Sequence, residues 1–119
     1  MKVKDILPGM DRIQVAIRVV GVGEVTNVSL PYGVQRVCRC VAGDETGVLA
    51  LILWNDFIKY AEQGSILQIT RGHAKKFKGE LQLATTRDSV ISKVDDGILP
   101  DAKWIIGKYV QNDQEKSTN

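Results

Sequence analysis

Residues 41–54, VAGDETGVLALILW, constrain the fold more than any other stretch of this chain. They read as the end of one strand, a tight turn over Asp44, Glu45, Thr46 and Gly47, and a second strand with no charge and no helix breaker. Strand periodicity puts Leu49, Leu51 and Leu53 on one face and Val48, Ala50, Ile52 and Trp54 on the other. One face can fill a core. The other is also apolar and ends in an indole ring, which calls for a separate explanation.

The rest of the chain supplies the strands such a hairpin needs. Residues 12–22 alternate, with Ile13, Val15, Ile17 and Val19 on one face, and a loop is expected over 23–33, around Pro31-Tyr32-Gly33. A second strand follows at 34–42, with Cys38, Cys40 and Ala42 assigned inward. Asn55 or Asp56 is suited to cap a short helix over 56–63, with Phe57, Ile58 and Ala61 as its apolar stripe and Gly64 as its stop. Strands at 66–72 and 80–86 flank HAKKFKG, a basic loop with one aromatic ring. Residues 90–96 close the domain. Three strands, a short helix and two more strands, with no parallel βαβ unit, predict an all-β fold: a five-stranded OB barrel with a helix between strands 3 and 4. A small SH3-like barrel is the alternative, but it does not naturally hold a helix there.

Composition narrows the function. At 119 residues the chain is of single-domain size. We divide it into an OB domain at 1–96 and a C-terminal extension at 97–119. In the extension, Asp101 caps a short helix whose Ala102, Ile105, Ile106, Tyr109 and Val110 share a face, before a polar, frayed tail. Residues 1–96 hold 13 Lys/Arg and 11 Asp/Glu, a net +2, and the extension holds three of each. Two cysteines two residues apart suit buried free thiols better than a disulfide. With a single histidine, the chain offers no metal motif, and no acid/base constellation or phosphate-cradling loop for an enzyme. No cofactor is expected. The absence of a signal-like or membrane-length apolar run points to the cytoplasm, near the nucleoid, or to the nucleus of a eukaryote.

Residues 71–78 gather Arg71, His73, Lys75, Lys76 and Lys78 around Phe77, with no acid among them. In an OB barrel this segment and the strand 2–3 face border the ligand groove. Rings interleaved with cations suit single-stranded nucleic acid: bases stack on the rings and Lys or Arg track the phosphates. Trp54 and Phe77 are therefore expected across one trough, close enough to sandwich neighbouring bases. Arg39 and Arg18 are further candidates for the backbone, and Tyr32 for a loop contact.

The motifs GDETG, an alternating strand ending in LW, a helix, HAKKFKG and ELQL resemble, over about residues 3–94, the short single-OB single-stranded-DNA-binding proteins of archaea. They are similar too to the sensors of the SOSS complex and, more distantly, to the DNA-binding domains of replication protein A. The resemblance implies base stacking on Trp54 and Phe77, and a third platform at position 73, where the family usually has Trp or Tyr and this chain has His73. It implies a role in DNA replication, repair or recombination. Two other readings stay open. One is an RNA-binding OB module. The other is a protein-interaction adaptor using the apolar outer face and the C-terminal segment, where Trp104, Ile105, Ile106 and Tyr109 would meet a partner or a second copy.

Overall fold

The computed structural model describes residues 1–95 and 97–110. Five strands close a ring: β1 (Ile13–Leu30), β2 (Gly33–Asp44), β3 (Gly47–Trp54), β5 (Glu80–Ala84) and β4 (Ile66–Phe77), with β4 returning to β1. All neighbours are antiparallel except β3 and β5, which run parallel. β6 (Val90–Val94) adds a sixth strand beside the first half of β4. This is the OB barrel expected.

The barrel fills as the alternation requires. Ile13, Val15, Ile17 and Val19 of β1, the three leucines of β3, and Leu67, Ile69 and Leu83 are buried in one cluster. Cys38, Cys40 and Ala42 face inward and are fully buried, opposite Leu53, Leu51 and Leu49. Small side chains there leave the leucines room as the sheet curls into a ring. Both cysteines are free, with Sγ atoms 3.9 Å apart. Burial first, and the neighbouring Cys38 second, push the Cys40 thiol up to about 12.

Several elements differ from their sequence reading, each for a local reason. Residues 23–33 are not a loop. β1 and β2 continue as a hairpin as far as Leu30 and Gly33, turned by Pro31 and Tyr32 alone. Two register shifts, after Val19 and after Val22, bend it. At the second, a Cβ on Gly23 would stand 2.6 Å from the Arg39 carbonyl oxygen, so only glycine fits. The segment after β3 is a 3-10 turn over Asn55–Tyr60 rather than a helix over 56–63. Its Phe57, Ile58 and Ala61 still pack on the core as the stripe requires. HAKKFKG is also no loop: β4 runs through Phe77, and Lys78 and Gly79 alone form the turn.

The turn after β2 holds the N-terminus. Asp44, fully buried, accepts from the backbone N–H of Val3 at 2.9 Å and of Thr46 at 2.8 Å, and Lys2 pairs with Glu45 at 2.9 Å. The C-terminal segment folds back on the barrel. Asp101 caps α1 (Ala102–Ile105) through the Trp104 N–H at 2.8 Å, and the helix continues without a break as a π-helix over Ile106–Val110. Ile105 is fully buried within the chain, and Tyr109 Oη donates to the Glu45 carbonyl at 2.7 Å. Ile105 is thereby removed from any partner surface, while Tyr109 stays half-buried. Trp104 stays 45% exposed under the Lys108 ammonium, and Ile106 is half-buried. The expected tail, 111–119, and the boundary residue Asp96 lie outside the described residues.

Candidate nucleic-acid interface

The outer face of β2, β3, β5 and the second half of β4 forms one strip. Cross-strand partners share a face. Arg39 stands opposite Ile52, Ile52 beside Ala84, and Ala84 opposite His73. In the next row Val41, Ala50, Gln82 and Lys75 follow one another. Trp54, beside Val37, begins the strip, and Phe77, opposite Glu80, ends it.

A single residue puts His73, Lys75 and Phe77 on this face. Ile69 of β4 points into the core, so unbroken alternation would turn residues 71, 73, 75 and 77 inward as well. Arg71 instead takes φ +58°, where the β1–β4 register also shifts. After that bulge Gly72 and Ala74 face the core, with a Cβ on Gly72 due to meet Leu83 at 2.9 Å, and the odd positions turn outward.

Trp54 is half-buried at the mouth of a groove of about 630 Å³, lined also by Tyr32 and Leu30 of the β1–β2 hairpin, by Asn55 and by Thr86 and Arg87. Asn55, at φ +51°, fixes the hairpin to β3: its carbonyl oxygen accepts from the Arg36 N–H at 3.0 Å and its amide donates to Gln35. Phe77 is 54% exposed, with the Lys78 ammonium 5.4 Å from its ring centre. The two rings share the strip but stand at its opposite ends. Six residues of β3 separate their rows, roughly 15–20 Å along the sheet. They are too far apart to sandwich adjacent bases. His73 lies between them, its Nδ1 3.8 Å from an Asp11 carboxylate oxygen.

The cations divide by the same alternation. Lys75 lies on the strip, Lys76 opposite Leu81 on the other side of the ribbon, and Lys78 in the turn; all three are exposed. Arg71 is exposed beside Asp11, Arg12, Thr86 and Asp88, around a second, polar hollow of about 710 Å³. Arg39 is on the strip but paired with Glu80, whose carboxyl is held below the usual range chiefly by the hydrogen bonds from that guanidinium. Arg18 is not at the groove. It is 3% exposed and donates to the carbonyls of Gly64 at 2.6 Å, Leu99 at 3.2 Å and Pro100 at 2.7 Å. Facing away from the core on β1 put it under the returning chain rather than in solvent. Sequence reasoning missed Arg87, Thr86 and Glu80. The first two follow strand 5 and must cross the barrel mouth to reach β6, a signal that appears only once β6 is known.

Residues 6–93 match the family model described as "Single-stranded DNA binding protein Ssb-like, OB fold". The chain belongs to that family. The single-stranded DNA binding protein Ssb of Saccharolobus solfataricus is 27% identical over 104 residues, which cover 87% of this chain and 70% of that protein. A hypothetical protein from Arabidopsis thaliana superposes with a TM-score of 0.71 at 21% identity, covering 84% of this chain and 76% of the other. DNA binding domain A of Saccharomyces cerevisiae replication protein A superposes with a TM-score of 0.66 at 17% identity, covering 82% and 96%. This Ssb-like chain is thus a single-stranded-DNA-binding OB protein, of a family that binds DNA rather than catalyses a reaction. Among the described residues no helix is long and apolar enough to cross a membrane, and no group of three or more His, Cys, Asp or Glu could hold a metal ion.

Proposed function

We propose that the protein binds single-stranded DNA with little sequence preference and serves replication, repair or recombination inside the cell. The strand runs along the strip from Trp54 to Phe77, passing His73. The single observation that carries this reading is that Trp54, His73 and Phe77 share one outer face, with both aromatic rings at least partly open to solvent. Stacking needs only a π-face, which every base has, so such a surface tolerates sequence. Because the rings stand at opposite ends, the bases they hold are separated by several nucleotides, and the strand between them lies over His73 and Lys75. Lys75, Arg71 and Arg87 are the cations best disposed to follow its phosphates, with Arg39 considered below. Lys76 and Lys78, at the ribbon edge, act at longer range. Tyr32, 79% exposed at the hairpin tip, closes on a base beside Trp54.

A Trp104→Phe variant leaves Trp54 as the sole indole of the chain. Titration with oligo-dT should quench its fluorescence to saturation. The apparent affinity should fall with salt at a slope of about 0.7 per phosphate contact. Oligo-U under the same conditions should bind more weakly. Tighter binding of oligo-U would favour an RNA-binding role. Binding that is weak and indifferent to salt would overturn the reading.

A further inference from the structure

The outer face of β3 is apolar, yet it is not bare. Ala50 and Ile52 are 2% and 8% exposed although neither belongs to the barrel core. Arg39 stands on β2 and Glu80 on β5, with β3 between those strands, so a bond joining them passes over this face. Arg39 Nε donates to Glu80 Oε1 at 3.2 Å, Nη2 donates to Oε2, and Gln82 Nε2 donates to Oε1 at 3.4 Å. The pair is not sealed: the side chains are 50% and 40% exposed. A guanidinium meets the two oxygens of a carboxylate with the same planar fork that it offers to a phosphate.

We propose that Glu80 is an intramolecular stand-in for a DNA phosphate: it occupies Arg39 in the free protein, is displaced when a strand enters, and so sets the affinity of the groove. The inference rests on the reading that the strand follows this strip. It explains why an apolar β3 face does not stay open to water in the free protein. Once Arg39 turns to a phosphate, Ile52 and Ala50 become a floor for bases between Trp54 and Phe77. Glu80 then costs affinity, since each binding event must first break its bonds to Arg39.

The test is a double-mutant cycle on the full chain, with Glu80→Gln, Arg39→Gln and the double variant, each checked for fold by circular dichroism and titrated with fluorescent oligo-dT at low salt. Glu80→Gln should bind about two- to fivefold tighter than the parent, the range expected for releasing an exposed ion pair. In the Arg39→Gln background the same change should alter affinity by less than about 1.5-fold, because the arginine it would free is gone. Equal tightening in both backgrounds would mean simple charge repulsion and overturn the proposal. Weaker binding by Glu80→Gln would also overturn it, showing that Glu80 positions Arg39 for the ligand. In either of those cases DNA binding itself persists and the reading of the groove stands. Four folded proteins that all fail to bind would end both.

Discussion

Truncating Trp54 or Phe77 to alanine removes a ring proposed to stack on DNA and little of the core, since neither ring belongs to the buried cluster. Each change should weaken oligo-dT binding by about 1–3 kcal/mol with the thermal transition nearly unmoved. The two losses should be close to additive, because the rings are far enough apart not to share a base. Arg18 should behave in the opposite way. Arg18→Met leaves the carbonyls of Gly64, Leu99 and Pro100 without its guanidinium, so stability should drop by about 1.5–3 kcal/mol while the salt dependence of DNA binding is unchanged. Arg18 on β1 and Arg39 on the neighbouring β2 thus differ in what covers them: the first is buried under the returning chain and the second is half-exposed. The thiols make a third case. With the Cys40 pKa at about 12 and both side chains buried, the native protein should resist a thiol reagent at pH 8 and react only when denaturant opens the barrel.

The ribbon formed by β4 and β5 is the element on which the interface depends most. Lys78 and Gly79 have φ of +51° and +80°, the signs of a type I′ turn, whose twist matches that of the strands it joins. Lysine is a poor occupant of such a position and glycine a good one. Lys78→Asn should therefore raise the free energy of unfolding by about 0.5–1 kcal/mol, and Gly79→Ala should lower it by about 1–2 kcal/mol, both read from denaturant titration. The bulge at Arg71 sits at the other end of the same strand and decides which side of the ribbon faces the groove. Between them, these two features hold His73, Lys75 and Phe77 in register with Ala84, Gln82 and Glu80.

At the scale of the whole fold, exposed ion pairs among the described residues fasten distant parts of the chain: Lys2 to Glu45, Arg39 to Glu80 and Lys93 to Glu62. In each, hydrogen bonding from the cation holds the carboxyl below its usual value. A depressed carboxylate contributes stability above its unfolded pKa, near 4.3, and loses it as pH falls through the folded value. The melting temperature should stay level from pH 7 to about 5 and decline below about 4. Replacing the three glutamates with glutamine should flatten part of that decline, modestly, because the pairs are solvated.

Alternation and turn chemistry along the chain were enough to determine the barrel, the inward cysteines, the β2–β3 turn and the Asp101 cap. These are local properties: side-chain period, glycine freedom and a capping carboxylate act within a few residues of themselves. Facing in the second half of β4 was not legible, because one residue with positive φ inverts every position after it and leaves no mark on the pattern. Nor were the burial of Arg18, the bond of Arg39 to Glu80 between non-adjacent strands, or the separation of Trp54 from Phe77. Each of those depends on which strands lie side by side, and in a closed barrel that is set by register between segments far apart in the chain.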